Sequence, residues 1–232
     1  MLFDLDGTLV HHVNPRVLHL LEVLDDFSHR AGRLVARFRL MRRAKTVQRK
    51  PRLLVHKAIH KVRRKSVEQM LAPCETMRAV LQQLSAEGVT LGVVSNGLGR
   101  GYGHDVLEAF GLKQYFRTTV FREDVGRGKP WPDSIIAALK DLGRDLRPND
   151  VIWYVGDQRK DIGAAQAASA LVGRPIRSFA LGARAGLAAI EMRLSPSQIM
   201  WGAADFERTV AATFASDDVR LSLIDPLPAP LL

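Results

Sequence analysis

The sequence is poor in cysteine and in aromatic residues, and it has no long apolar run. Its single cysteine, Cys74, cannot form a disulfide within the chain, so nothing points to an oxidising compartment. No apolar run approaches the length of a membrane-spanning helix, and Asp4 and Asp6 interrupt the apolar residues at the amino terminus, which argues against a signal peptide. We therefore expect a cytoplasmic protein. With 232 residues, 47% of them hydrophobic, the chain is able to bury a substantial core.

One long segment lacks acidic residues altogether. Between Arg30 and Lys65 there are fifteen Lys or Arg residues and no Asp or Glu, whereas the rest of the chain has 19 basic and 24 acidic residues. Three interpretations stay open: a solvated face, recognition of a strongly anionic substrate, or contact with nucleic acid or an anionic membrane surface. The segment has one aromatic residue, Phe38, which gives little support to base stacking.

Strand-like and helical patterns alternate along the chain after Pro73. Short apolar runs predict strands, and amphipathic stretches between them predict helices. The predicted strands are at residues 1–5, 89–94, 118–121, 151–155, 176–181 and 199–202, and the predicted helices are at 75–86, 104–110, 132–142, 161–170 and from 205 onward. This alternation predicts an α/β fold with a Rossmann-like, doubly wound parallel sheet.

The stretch between Val10 and Pro73 shows no strand-like run, and its apolar residues recur at helical spacing. We predict an inserted α-helical cap domain at residues 13–73, a catalytic core at residues 1–12 and 74–222, and a flexible tail at residues 223–232. His11 and His12 are expected to lie in the hinge leading into the cap rather than to bind a metal, since the candidate site is rich in oxygen ligands.

Polar side chains follow the predicted strands of the core, and one lysine lies on a loop before a helix. Because the carboxyl ends of parallel strands meet at one edge of the sheet, we expect these side chains to converge there. The candidate residues at this edge are Asp4, Asp6, Thr8, Ser95, Asn96, Lys129, Asp157 and Asp161.

Clustered carboxylates repel one another, and a divalent cation relieves the repulsion. A site of oxygen ligands suits Mg²⁺, which takes part of its shell from a phosphate group. Residues two apart on a strand face the same way, so Asp4 is placed to attack phosphorus while Asp6 protonates the leaving oxygen and later activates water. Ser95 and Lys129 are suited to hold the phosphoryl oxygens. The set predicts magnesium-dependent phosphoryl transfer.

Four segments, FDLDGTLV, VVSNG, GKPWPD and GDQRKD, together resemble the signature motifs of the haloacid dehalogenase superfamily of hydrolases. They occur in the usual order and span most of the chain, and the predicted helical insertion resembles the cap of the phosphoglycolate phosphatase-like branch. Three residues precede Asp4, fewer than the first strand of that family usually has, so either this strand is short or the chain continues upstream of Met1.

The resemblance implies a role for each motif residue. Asp4 would be the nucleophile and Asp6 the general acid and base, with Thr8, Ser95, Asn96 and Lys129 on the phosphate. Asp4, Asp6, Asp157 and Asp161 would hold the metal. The expected enzyme is a phosphatase acting on a small, strongly anionic phosphorylated molecule. The alternatives are a phosphomutase-type phosphotransferase and a protein that binds nucleic acid or membrane through the basic segment.

Overall fold

The computed structural model of the protein describes residues 1–12, 67–143 and 150–215. Eight strands lie in these ranges: β1 Leu2–Phe3, β2 Val10–His12, β3 Leu71–Pro73, β4 Gly92–Val94, β5 Thr118–Val120, β6 Ile152–Gly156, β7 Ile176–Leu181 and β8 Ile199–Met200. Seven α-helices accompany them: α1 Val67–Met70, α2 Glu75–Ala86, α3 His104–Ala109, α4 Asp133–Asp141, α5 Arg159–Val172, α6 Gly182–Glu191 and α7 Ala203–Ala215. None of the described helices is long and apolar enough to cross a bilayer.

Six strands form one parallel sheet in the order β5-β4-β1-β6-β7-β8. The chain first builds outward from β1 to β4 and β5, and then returns to the other side of β1 for β6. A crevice opens at the carboxyl ends of the strands where this order reverses, so the topology places a ligand site between the ends of β1 and β6. The predicted doubly wound parallel sheet is confirmed.

Both faces of the sheet are buried, as expected for parallel strands covered by helices. Successive strand residues point to opposite faces: Phe3 belongs to one apolar cluster and Leu2 to the other. The first cluster includes apolar residues of α2, α3 and α7, and the second includes those of α4 and α5. Several helix boundaries follow the sequence closely, and the prediction of 75–86 coincides with α2.

Two corrections concern segments that sequence patterns misread. The stretch from Val10 to Pro73 was expected to hold no strand, yet β2 and β3 pair in antiparallel fashion at its two ends. His11 and His12 lie on β2, at the start of the predicted insertion, and pair there with Ala72 and Leu71 of β3. Helix α6 was not predicted, because it starts directly after β7 with no intervening loop and begins with the glycine-containing sequence GARAG. The bulk of the predicted cap, including the basic segment, and the predicted tail at 223–232 lie outside the described residues.

Candidate active site

The turn after β1 brings the first motif to the edge of the sheet. The backbone of Asp4 continues the ladder to β6 by donating to the Val155 carbonyl, at 2.9 Å, and the chain then turns at Gly7, where φ is +84°. A Cβ atom at Gly7 would lie 2.2 Å from Oδ2 of Asp157. Glycine is needed here for two reasons, since the backbone is left-handed and the Asp157 carboxylate occupies the space of a side chain.

Three carboxylates meet beyond the ends of β1 and β6. One oxygen from each of Asp4, Asp157 and Asp161 lies within 4.8 Å of the others. Oδ1 of Asp157 is buried and has no hydrogen-bond partner in the part of the chain that the structure describes. An orphaned carboxylate oxygen beside two further carboxylates is the environment of a hard divalent cation, so the donor set fits Mg²⁺.

Lys129 neutralises part of this negative charge from inside the core. Its ammonium group lies 2.6 Å from Oδ1 of Asp4 and 2.6 Å from Oδ1 of Asp161, and it donates to the Val94 carbonyl and the Tyr154 hydroxyl, each at 3.0 Å. Burial alone would lower the pKa of Lys129, but the charges of Asp161 and Asp4 raise it well above its usual value. The lysine is therefore a fixed cation beside the Asp4 carboxylate.

The carboxylates resist ionisation when no cation is bound. Burial, followed by the charge of Asp161, raises the pKa of Asp4 to about 7, and Lys129 opposes this shift only in part. Burial and the charges of Asp4 and Asp161 raise the pKa of Asp157 to about 8. A bound divalent cation would reverse these shifts, because it stabilises the ionised forms. Without such a charge, Lys129 offsets the repulsion among the three carboxylates only in part.

Asp161 is held at the start of α5 by contacts on both of its oxygens. Oδ2 accepts from the backbone N–H of Gln158 at 3.0 Å within a capping box, and Oδ1 accepts from the Tyr154 hydroxyl at 3.1 Å. A Cβ atom at Gly156 would lie 2.4 Å from the Cβ of Asp161. Asp161 therefore joins the site through a rigid strand-to-helix turn, with a carboxylate at the N-terminal end of the helix dipole.

The residues predicted to bind phosphate take up different positions. Oγ of the buried Ser95 accepts from the Gly97 N–H at 2.9 Å, which leaves its hydroxyl proton available to a ligand. Oγ1 of Thr8 is buried with no hydrogen-bond partner among the described residues. Asn96 instead uses its amide on the backbone of Lys129, accepting from its N–H at 2.8 Å and donating to its carbonyl at 2.9 Å. The geometry of Asn96 thus favours positioning of the lysine loop.

The side chain of Asp6 is not part of the group of three carboxylates and contacts a tyrosine instead. Its Oδ1 accepts a hydrogen bond from the hydroxyl of Tyr102, a buried residue on the loop that follows β4. Two site residues, Tyr102 and Tyr154, were missed from the sequence. A tyrosine inside a buried strand reads as a core residue, and the contact of Tyr102 joins residues 96 positions apart; no local pattern signals either one.

Comparison with known proteins agrees with this arrangement. The family model for haloacid dehalogenase-like hydrolases matches residues 1–172, which include every residue of the candidate site. The chain belongs to this family. Within the haloacid dehalogenase-like hydrolases, a phosphoglycolate phosphatase of Yersinia pestis is 35% identical over 104 residues. That match covers 45% of this chain and 43% of the relative, so the chain spans less than half the length of the relative it matches.

Solved structures show the same fold at low identity. A haloacid dehalogenase-superfamily hydrolase from Ehrlichia chaffeensis superposes with a TM-score of 0.57 at 16% identity, over 92% of this chain and 96% of that one. A phosphatase of this superfamily from Thermococcus onnurineus gives a TM-score of 0.52 at 20% identity, over 90% and 96%. At these identities the similarity establishes the architecture and leaves the substrate open.

Proposed function

We propose that this protein is a magnesium-dependent phosphatase that hydrolyses a phosphate monoester through an aspartyl-phosphate on Asp4. The observation that carries the proposal is the Asp4 carboxylate itself. It is buried at the sheet edge, Lys129 lies 2.6 Å from its Oδ1, and it belongs to a group of three carboxylates within 4.8 Å. A carboxylate with a cation site on one side and a fixed ammonium on the other is suited to attack the phosphorus of an anionic phosphoryl group.

Mg²⁺ held by Asp4, Asp157 and Asp161, with Asp6 contributing through its backbone, would offset the repulsion between a carboxylate and an anionic phosphoryl group. The protein supplies the remaining contacts. The Lys129 ammonium and the Ser95 hydroxyl are donors for phosphoryl oxygens, and the orphaned hydroxyl of Thr8 is a third. Asn96 acts indirectly, since it fixes the backbone of Lys129.

The reaction has two steps that balance in atoms and charge. An oxygen of Asp4 forms a bond to phosphorus while the bond from phosphorus to the leaving oxygen breaks, and Asp6 donates a proton to that oxygen. Water then attacks phosphorus and gives a proton to Asp6, and the bond between phosphorus and Asp4 breaks to release inorganic phosphate. Asp4 and Asp6 return to their starting states.

The substrate class is a phosphorylated small molecule. This part of the proposal rests on the phosphoglycolate phosphatases that the chain resembles over part of their length. Phosphoglycolate is therefore the first ester to test, within a panel of phosphorylated metabolites.

The decisive variant is Asp4→Asn, because an amide oxygen does not attack phosphorus. Phosphate release from the best substrate of the panel should fall by at least about a thousandfold, with the circular dichroism spectrum unchanged. Asp105→Asn is the matched control, since Asp105 is exposed on α3 and is not one of the three clustered carboxylates, so its variant should behave as wild type. Substantial turnover in Asp4→Asn would refute the mechanism.

Product analysis separates the remaining alternatives. A phosphatase releases inorganic phosphate in proportion to the alcohol formed, whereas a phosphomutase returns the phosphoryl group to a second sugar phosphate. A protein that releases no phosphate from any ester, yet retards nucleic acid on a gel or sediments with anionic vesicles, would be a binding protein that uses its basic segment.

A further inference from the structure

A surface cleft of about 370 Å³ opens directly beside the carboxylate group. Gly7 and Asp157, which belong to the candidate site, line this cleft together with His11, Arg184, Trp201 and Gly202. One carboxylate oxygen of Asp157 lies within 4.8 Å of one of Asp4. A molecule whose phosphate sits on Asp4 therefore has this cleft next to it.

The lining of the cleft has a specific chemistry. Arg184 lies in the first turn of α6, whereas Trp201 directly follows β8 and is 72% exposed. Within the described residues, the Arg184 guanidinium makes no ion pair and no hydrogen bond. Among the described residues that line the cleft, Asp157, the metal-ligand candidate, is the one acidic residue.

The cleft is thus lined by an exposed indole and by a guanidinium that has no partner among the described residues. Indole faces stack on flat rings, and guanidinium groups bind carboxylate or phosphate oxygens in a planar, two-point geometry.

We propose that this cleft is the subsite for the leaving group, and that the substrate is a phosphate monoester whose leaving group combines a planar ring with a second anionic group. The ring would stack on Trp201 and the anion would pair with Arg184. This inference rests on the proposed phosphatase function, because it assigns the leaving-group end of the same site.

Three esters separate the two contributions: ethyl phosphate, phenyl phosphate, and 4-carboxyphenyl phosphate. The wild-type protein should show rising kcat/KM along this series. Trp201→Leu should lower the ratio of phenyl to ethyl phosphate by about fivefold. Arg184→Met should lower the ratio of 4-carboxyphenyl to phenyl phosphate by about three- to tenfold.

Arg177→Met is the control for loss of one positive charge. Arg177 is exposed near the start of β7, at the opposite end of that strand from α6, so its variant should keep both ratios at their wild-type values. Ratios that are the same in Arg184→Met, Arg177→Met and wild type would overturn the anionic part of the subsite. An unchanged phenyl-to-ethyl ratio in Trp201→Leu would overturn the stacking part. In either case ester hydrolysis, and with it the proposed function, would stand.

A binding measurement tests the subsite even if no ester is hydrolysed. Titration with 4-carboxyphenyl phosphate in the presence of Mg²⁺ should quench tryptophan fluorescence of the wild-type protein. The quenching should disappear in Trp201→Leu and require about three- to tenfold more ligand in Arg184→Met. Quenching without turnover would contradict the proposed function and support the subsite, whereas no quenching in wild type would overturn the subsite.

Discussion

The phenolic hydroxyl of Tyr102 donates a hydrogen bond to Oδ1 of Asp6. Tyr102 is buried on the Gly99–Gly103 loop, and Gly99 and Gly103 have no room for a side chain because a Cβ atom at either would lie within 2.6 Å of the Phe121 ring. The tyrosine is therefore held in place by close packing, and it in turn restrains the carboxyl group proposed as the general acid and base. Tyr102 is a positioning residue in this scheme, since it acts through Asp6.

Tyr102→Phe keeps the ring and removes the hydrogen bond to Asp6. We expect kcat for an alkyl phosphate to fall by about tenfold, the equivalent of one hydrogen bond to a charged group. Turnover of para-nitrophenyl phosphate should change much less, because nitrophenolate leaves without protonation. Steady-state kinetics on both esters measure the contrast. Equal losses on the two esters would contradict a role for Tyr102 in the protonation of the leaving oxygen by Asp6.

The raised pKa values of Asp4 and Asp157 predict how metal and pH act together on stability. Unfolded aspartate has a pKa of about 3.9, whereas the folded, metal-free values are about 7 and about 8. A carboxyl group with a raised folded pKa favours the folded state fully below the unfolded pKa, and this contribution is lost as pH rises through the folded pKa. The metal-free protein should therefore lose thermal stability progressively between about pH 4 and pH 8, and part of this loss falls above pH 6.

Mg²⁺ binds the ionised carboxylates, so it should raise Tm much more at about pH 8.5 than at about pH 6. Calorimetry in excess MgCl₂ and in excess chelator at both pH values gives the four Tm values required. Asp157→Asn removes one of the two groups, so it should weaken the decline without metal and reduce the gain with it. A magnesium-induced rise in Tm of the same size at both pH values would contradict the assignment of these carboxylates to the metal.

Gly7 and Gly88 form a matched pair for testing the turn after β1. Both have left-handed backbones, with φ of +84° and +71°, but a Cβ atom at Gly7 would collide with Asp157, whereas one at Gly88 has no neighbour within 4 Å. Each substitution by alanine should cost about 1 kcal/mol through the backbone. Only Gly7→Ala should also abolish the magnesium-induced rise in Tm and the phosphatase activity. Normal activity in Gly7→Ala would show that Asp157 tolerates displacement.

The sequence predicted site residues that lie in a recognisable local motif and also have a chemically reactive side chain. Asp4, Asp157 and Asp161 follow strand ends in recognisable motifs, and the structure brings them together as predicted. Tyr102 and Tyr154 act through contacts between distant segments, which only the folded chain creates. Asn96 was assigned to phosphate from its motif, and that role stays a prediction; the contacts that the structure adds are one hydrogen bond to the N–H and one to the carbonyl of Lys129.

Boundaries of the elements were less predictable than their order. Strand β1 spans only Leu2–Phe3, although apolar residues run from Met1 to Leu5, because the chain turns toward the carboxylate group immediately after Asp4. The short ribbon of β2 and β3 was missed because each strand has three residues and the paired residues are 59 to 63 positions apart. Pairing over such a distance depends on the rest of the fold rather than on local propensity.

The basic segment from Arg30 to Lys65 lies outside the described residues, and its role stays a prediction from charge alone. It carries fifteen basic residues and no acidic one, while the remainder of the chain has more acidic than basic residues. We predict that this segment selects anionic substrates and leaves the chemistry to the core. Electrostatic attraction of this kind is screened over about 8–10 Å at physiological salt. Rising ionic strength should therefore lower kcat/KM for the best anionic substrate much more than for para-nitrophenyl phosphate.

A charge variant tests the same prediction at constant salt. Replacing Arg42, Arg43, Arg63, Arg64 and Lys65 together by glutamine should reproduce the selective loss on the anionic substrate, because the long-range attraction is weakened while the Asp4 site is untouched. The Arg184→Met variant serves as a comparison. Its loss of kcat/KM should depend on where the anionic group sits within the leaving group, because Arg184 is proposed to contact that group directly. If salt and the variant with five substitutions lower kcat/KM equally for the anionic substrate and for para-nitrophenyl phosphate, the segment does not select substrate. Gel-shift and vesicle sedimentation would then decide whether it contacts nucleic acid or an anionic membrane, and binding to neither would leave a solvated surface.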